Sequence, residues 1–511
     1  MINEEESRLK KLDQIKKQGI DPYLSQGDQI SKIVEIQKNF DHWFQKERLV
    51  KMAGRIRSIR MHGKSCFAHL EDETGRFQIY LKYDLLGEEK YNFFVDLIDV
   101  GDFVSTEGKL FLTKKGEQTI LVENYQLLTK SLLPLPEKWH GLSDIELRFR
   151  KRYLDLLANP EIKEIFQKRS LIIKLTRQFF DELGFIEVET PILQPIPGGA
   201  NARPFVTHHH ALDIDLYLRI APELYLKRLI IGGFEKVYEI ARCFRNEGID
   251  RAHNPEFTQI EFYQAYADYQ NLMTLTEKFL EFLLEKIEGK LEIEYQGEKI
   301  RTRPSTSSGQ NIVFSKEENY IQKINFKAPY TRLSFRQALI DFVQIDIEKF
   351  KTREQIATKA KNIGLKVDRS WGRGKILDEL YKEFIRPKII QPTFIIDHPI
   401  ELSPLAKKKT DNPDYVERFQ LIVAGMEVCN AFSELNDPLD QEERFREQQK
   451  MREAGDEEAH RIDYDFIEAL KYGMPPTAGE GIGIDRLATI LCNVHNVKEV
   501  IIFPTMRSKE K

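Results

Sequence analysis

The runs Lys236-Val-Tyr-Glu-Ile-Ala-Arg-Cys-Phe244 and Phe257-Thr-Gln-Ile-Glu-Phe-Tyr-Gln-Ala-Tyr266 are rich in β-branched and aromatic residues in period 2, and both read as strands. Between them lies Arg245-Asn-Glu-Gly-Ile-Asp-Arg251-Ala-His253-Asn-Pro255-Glu. This pattern commits the chain to a long hairpin whose loop carries an arginine and a histidine and exits at the ring of Phe257. In the second strand the side-chain period of two sets Phe257, Gln259, Glu261 and Tyr263 on one face and Thr258, Ile260 and Phe262 on the other. The polar face needs a ligand, and the loop offers groups for a nucleotide without a glycine-rich cradle.

The common phosphate cradles are absent. Gly63-Lys64-Ser65 resembles the end of a P-loop, but the motif needs a glycine where Ser58 stands, and Gly479-Glu-Gly481-Ile-Gly483-Ile484 lacks the last glycine of the dinucleotide fingerprint. Gly481-Ile-Gly483-Ile484 reads instead as a strand feeding a helix from Asp485, with Arg486 in its first turn. Glycines let a ligand approach the backbone, and a helix start with an arginine favours anions. A pocket for a cationic side chain must supply carboxylates. Glu261 and Tyr263 share a strand face, and Glu434 follows Asn430 and Phe432 at period 2, so these residues converge on such a pocket.

The chain has 511 residues, 41% hydrophobic and 31% charged, the composition of a globular protein long enough for about three domains. It contains no apolar run of the ~18 residues that suggest a membrane span, and the start Asn3-Glu-Glu-Glu-Ser lacks an apolar signal region. Cys66, Cys243, Cys429 and Cys492 are dispersed and form no metal or disulfide framework, which fits a reducing cytoplasm. A net charge of -4 gives no basic surplus, so any RNA contact must come from local patches and stacking.

We expect an α+β protein. Residues 1–48 form a helical segment, beginning with an amphipathic helix over 3–18 whose Arg8, Lys10, Lys11, Lys16 and Lys17 make a basic outer surface. Five alternating runs within 49–130 suggest a small antiparallel barrel of OB type, in which Phe67 and Gln78 can meet bases. A linker at 131–142, with Pro134, Pro136 and Gly141, leads to a second domain over 143–511. There Ser143 caps a helix running through Leu157, a helix from Pro160 stops before Gly184, and a strand follows over 185–190. The tract Arg301-Thr-Arg-Pro-Ser-Thr-Ser-Ser-Gly-Gln310 reads as an inserted surface loop near 301–327.

Phe244-Arg245-Asn-Glu-Gly and Gly-Ile-Gly-Ile-Asp-Arg486 resemble the second and third signature motifs of the class II aminoacyl-tRNA synthetases. Glu189-Thr-Pro191, Pro197-Gly-Gly-Ala200, Arg219-Ile-Ala-Pro-Glu-Leu-Tyr225, Asn430-Ala-Phe-Ser-Glu434 and Pro475-Pro-Thr-Ala-Gly479 extend the resemblance over nearly the whole chain, toward the lysyl-tRNA synthetases of bacterial type. The resemblance implies an anticodon-binding barrel and a catalytic domain built on an antiparallel β-sheet flanked by helices. It implies activation of L-lysine with ATP to lysyl-adenylate, followed by transfer to the terminal adenosine of tRNA(Lys).

By the same resemblance, Arg245 and Arg486 are catalytic, and Glu247, His253 and Phe257 complete the ATP site. Gly199, Glu223, Arg245, Glu261, Tyr263, Asn430, Phe432 and Glu434 bind lysine, and Arg60, Phe67, Gln78 and Glu117 read the anticodon. Up to three Mg²⁺ ions are implied, with Glu427 as ligand and Gln420 where the family carries a second glutamate. Strand parity sets Glu427 opposite Asn430, so that role requires a bulge. A homodimer through the helix from Pro160 and the following strand is also implied. A shortened relative that acts on a protein or metabolite would not need the barrel, and Gln420 alone hints at a non-catalytic RNA-binding relative.

Overall fold

The computed structural model describes residues 2–25, 27, 30–136, 142–304, 312–453, 455 and 458–508. The chain divides into two compact units, Met1–Asp144 with Tyr153–Asn159, and Ile145–Arg152 with Pro160–Lys511. Among the described residues no helix is long and apolar enough to cross a membrane.

In the first unit β1 (Leu49–His62), β2 (Ser65–Glu71), β3 (Arg76–Lys82), β4 (Phe103–Leu112) and β5 (Gln118–Thr129) close into a barrel in the order β1-β2-β3-β5-β4. Along β2 the buried Cys66, Ala68 and Leu70 alternate with the half-buried Phe67 and His69. Inward residues such as Met52, Ile79 and Val122 fill the core. The first helix runs Ile2–Lys17, but its basic surface is smaller than expected. Arg8 is buried and donates to the Ser131 and Leu133 carbonyls, and Lys11 is paired with Asp99, so these two cations serve the unit's own packing.

The second unit contributes the short strands β6 (Ile186–Glu187), β7 (Leu193–Gln194), β8 (Val206–His209) and β9 (Ile214–Leu218). The hairpin follows as β10 (Lys236–Phe244) and β11 (Glu256–Ala265), then β12 (Glu292–Pro304) and β13 (Ile312–Asn325). The remaining strands are β14 (Thr331–Ser334), β15 (Thr393–Pro399), β16 (Tyr415–Val423), β17 (Met426–Ser433) and β18 (Thr477–Gly483). An eight-stranded sheet has the order β14-β15-β16-β17-β18-β11-β10-β6. It is antiparallel from β15 to β10, with a parallel strand at each edge.

Helices Glu161–Glu182 and Tyr269–Ile287 cover one face of this sheet. Ile172, Leu175, Phe179 and Phe180 recur at helical spacing and pack with Phe279 and Leu283 against Tyr238, Ile260 and Phe262. The first of these helices ends before Gly184, whose φ of 76° suits a left-handed stop. Because β11 turns Ile260 and Phe262 into this core, Gln259, Glu261 and Tyr263 must emerge on the other face, and that face bears the cleft.

Further details differ from the sequence-based expectation, beginning with β3 and β5, which pair in parallel where an antiparallel barrel was anticipated. The helix expected from Ser143 is two helices, Ile145–Arg150 and Arg152–Ala158, and the guanidinium of Arg152 is buried, donating to the carbonyls of Lys498, Ile501 and Ile502. The strand expected over 185–190 is confined to β6, because Thr190 donates through both its N–H and its hydroxyl to the Glu239 carboxylate instead of continuing the ladder. The insertion expected near 301–327 has paired strands where a loop was anticipated, with β12 and β13 in register from Glu292↔Asn325 to Pro304↔Ile312. Residues 305–311 of that tract, and 137–141 of the expected linker, lie outside the described residues.

Candidate active site and nucleic-acid face

A cleft of about 360 Å³ opens on the opposite face of the sheet. At its closed end Glu261 on β11 accepts from the Tyr263 hydroxyl at 2.8 Å and from Gln259 Nε2 at 2.7 Å. Glu223 opens the helix Glu223–Ile231, and four residues on the same helix carries Lys227, whose ammonium donates to Glu223 at 2.5 Å and pairs with Glu434. Burial and the neighbouring Glu223 push Glu261 up to about 8, and burial pushes Glu434 well above the usual carboxylate range. Burial opposes the charge of Lys227, but Glu223 and Glu434 outweigh it and hold its pKa above the ordinary lysine value.

Three carboxylates, Glu223, Glu261 and Glu434, thus share one ammonium: Lys227 pairs with Glu223 and Glu434, and Glu261 is held only by the neutral Gln259 and Tyr263. Glu434 itself is fully buried beside Lys227 and lies behind the cleft wall, whereas Glu223, Glu261, Tyr263, Asn430 and Phe432 line it. Gly479 is needed here, because a Cβ would collide with the Tyr263 ring and Glu434 Oε1. Gly199, at φ 86°, comes so close to Glu223 that a Cβ would lie 2.8 Å from the Glu223 Cβ.

At the other end the hairpin loop brings Arg245 over the Phe257 ring, with Cζ 4.9 Å from its centroid, and leaves the buried Arg245 Nε without a hydrogen-bond partner. His253 Nδ1 sits 2.8–2.9 Å from both Asp250 oxygens, which makes Nδ1 the donor and leaves Nε2 to accept from Arg486 Nη2 at 3.2 Å. Arg486 also donates to the Glu427 carbonyl at 3.0 Å. Its helix, Ile484–Leu491, is fixed to β11 by Asp485, which accepts from the Thr258 N–H at 2.9 Å and from Arg169 at 2.5 Å. Arg245, Glu247, His253, Phe257 and Arg486 all line the same cleft as Glu261.

The bulge that Glu427 required is present. Gln420 pairs with Asn430 and Leu421 with Cys429, but Ile422 pairs with Glu427, so Val428 is the extra residue. Val428 and Cys429 are both buried in the sheet core, and Glu427 and Asn430 both face the cleft. Burial alone would raise the Glu427 pKa, but Arg486, Arg386, Arg418 and Lys382 hold it below its ordinary value. Mg²⁺ bound with a nucleotide takes one or two carboxylates plus phosphate oxygens. Glu427, with the amide oxygen of Gln420, fits that requirement for one ion, and no group of three or more metal-ligating side chains occurs among the described residues.

On the barrel, Arg60, Gln78 and Glu117 line a second depression together with His69. Phe67 lies outside the barrel core and stacks on Tyr80, with centroids 4.4 Å apart and an interplanar angle of 19°. Gln78 is largely buried and accepts from the Thr119 hydroxyl at 2.8 Å, and Glu117 lies 3.2 Å from His69 Nε2.

Sequence reasoning missed Lys227, Arg418, His398, Asp250 and Tyr80. The i,i+4 spacing of Glu223 and Lys227 was a usable signal. Arg418, which donates to Asn430 at 2.8 Å, had none, because the contact depends on strand pairing.

Residues 144–507 match the family model for class II tRNA synthetases (D, K and N), and residues 50–128 match the model of the OB-fold nucleic acid binding domain. The chain is 48% identical over 503 residues to a lysine–tRNA ligase of Carboxydothermus hydrogenoformans, covering 98% of each. It is 48% identical over 504 residues to that of Moorella thermoacetica, covering 99% of this chain and 98% of the relative. The Aquifex aeolicus lysine–tRNA ligase is 52% identical over 487 residues, which cover 95% of this chain and 77% of the relative.

Proposed function

Because the chain belongs to the class II tRNA synthetases of the aspartate, lysine and asparagine group, we infer that it is an ATP-dependent ligase joining L-lysine to its tRNA. The observation that carries the choice of amino acid is the surplus of two buried carboxylates over Lys227. Free lysine brings two ammonium groups. Glu223 takes the α-ammonium, Glu261 and Tyr263 take the ε-ammonium with Glu434 behind them, and Phe432 packs on the methylenes. An acidic or neutral side chain would bring no ammonium for Glu261 to meet.

The lysine carboxylate is ionised at neutral pH and needs no general base to attack the α-phosphorus of ATP, breaking the bond to the β-phosphate so that pyrophosphate leaves and lysyl-adenylate forms. The protein must align two anions and neutralise the charge that develops between them. Arg245 holds the carboxylate and α-phosphate, Arg486 and His253 hold the outer phosphates, and Phe257 with Glu247 receives the adenine. Glu427, with the amide oxygen of Gln420, would hold a magnesium ion brought with ATP, which would further neutralise the phosphate charge. In the second step a ribose hydroxyl of the terminal tRNA adenosine accepts the lysyl group and AMP leaves.

Lysine-dependent ATP–pyrophosphate exchange tests this reading. Exchange with lysine and with no other standard amino acid is expected, and exchange with a different amino acid or with none would overturn it. The pH dependence has a definite sign. A carboxyl group whose pKa stands at about 8 is mostly protonated at pH 7 and must lose its proton to accept an ammonium. Lysine binding should therefore release protons at pH 7, and the lysine KM should fall as pH rises toward about 8 and then level off. Calorimetry at pH 7 in buffers of different ionisation enthalpy checks this, and heats independent of the buffer would refute it.

Arg60, Phe67, Gln78 and Glu117 present the anticodon-reading face, with Phe67 and Tyr80 as the stacking surface. A stacked base is worth about 1–3 kcal/mol, so Phe67→Ala should lower tRNA charging about 5- to 150-fold while leaving adenylate formation intact. Equal loss of both activities would sink the assignment. Exposed Leu171, Leu183, Ile186, Ile192 and Leu193, on and just after the helix Glu161–Glu182, support a homodimer through this surface. The four unpaired cysteines support a cytoplasmic setting.

A further inference from the structure

Glu427 carries more cationic company than a metal ligand needs. Arg386 Nη1 lies 3.8 Å from Glu427 Oε2, and Arg486, Arg418 and Lys382 also act on this carboxylate. Arg386 is three-quarters or more buried, and its Nε has no hydrogen-bond partner. It follows directly on the π-helical turn Tyr381–Ile385, an irregularity common at functional sites. The other acids nearby are committed. Asp378 pairs with Lys382 at 2.6 Å, and Asp485 is held by Arg169 and the Thr258 N–H.

Position 420 lacks a charge. Gln420 stands there, and its Oε1 faces His398 Nε2 at 3.4 Å. The His398 ring is buried against this amide and adds no carboxylate to the site. Where two carboxylates would hold divalent ions between them, this site offers one carboxylate already faced by guanidinium groups and one neutral amide. An additional divalent cation beside Arg386 would be repelled and would lack a charged ligand.

We propose that Arg386 is a positioning residue that takes the place of a protein-held divalent cation: it turns Glu427 and a fixed positive charge toward the phosphates, so ATP binds here with a single tightly held Mg²⁺. The proposal rests on the reading of the cleft as an ATP site. It lowers the count of up to three that family resemblance implies. Arg386 is part of the chain and costs no ion uptake, so nucleotide binding should depend weakly on free magnesium beyond the ion that ATP carries.

The test counts Mn²⁺ bound to the full-length protein by electron paramagnetic resonance, with saturating lysine and α,β-methylene-ATP, which cannot be cleaved at the reacting bond. The wild type should hold one tight Mn²⁺ per active site, and the Gln420→Glu/Arg386→Gln double variant should hold at least one more. Arg386→Gln alone should weaken analogue binding at one equivalent of metal about 10- to 100-fold, and Arg386→Lys should restore much of it. Two or more tight ions on the wild type would overturn the proposal, as would a folded double variant that gains none. The wild-type count needs no variant to fold. Failure of the analogue to bind at all would instead count against the ATP site itself.

Discussion

Arg245→Ala is expected to lower lysine-dependent ATP–pyrophosphate exchange by at least about 10³-fold, since an arginine that stabilises charge on a transferring phosphoryl group is worth about 10³–10⁵ in kcat. The position explains the size of the effect. Arg245 is held by its own backbone N–H, which donates to the Pro255 carbonyl at 2.8 Å, and by the Phe257 ring beneath its guanidinium. Its Nε is buried without a hydrogen-bond partner, a costly arrangement unless a ligand supplies an acceptor. Both reacting groups are anionic, so the same side chain would hold the lysine carboxylate and the α-phosphate and lower the repulsion between them. Arg245→Lys should recover little, because a single ammonium cannot bridge two oxyanions as a planar fork does. Rates measured at saturating lysine and ATP separate this from simple weakening of binding. A variant with near-normal kcat and only raised KM values would remove Arg245 from the reacting centre.

Much of this arrangement was legible in the sequence because it depends on local rules. The period-2 pattern of Phe257, Gln259, Glu261 and Tyr263 foretold which side of β11 would face the cleft, and burial of Ile260 and Phe262 on the other side is its structural counterpart. The five barrel strands and the stop at Gly184 followed from alternation and left-handed backbone in the same way. What escaped was set by partners distant in the chain. The end of β6 depends on Thr190 finding the Glu239 side chain, and the outward turn of Glu427 depends on where β16 and β17 lose register. Parity could state that a bulge was needed at Glu427, but only strand pairing could put it at Val428. Lys227 escaped for a different reason. A lysine four residues after a glutamate is commonly a solvated helix pair, and nothing local says that this one is fully buried beneath Glu434.

That buried lysine sharpens the second large effect, expected for Glu261→Gln. The substitution keeps shape but removes the one carboxylate of the three that Lys227 does not pair with, so one ammonium of bound lysine enters a buried site without its counter-charge. Breaking a buried ion pair by removing one partner costs about 3–5 kcal/mol, so kcat/KM for lysine should fall about 10²- to 10⁴-fold. ATP binding should change little, because Glu261 lies at the closed end of the cleft among Gln259 and Tyr263. The empty pocket should be stabilised by the same change. Glu261 is raised by burial, so folding opposes its ionised form; this cost is absent below the unfolded carboxylate range and fully present above about pH 8. Glu261→Gln removes it, and the variant's Tm should match the wild type at pH 5 and exceed it at pH 9. Lost lysine affinity with gained alkaline stability is the pattern expected of a site whose charge is reserved for its substrate. A variant that loses both would mean that Glu261 serves the fold, with the ε-ammonium held by Glu434 alone.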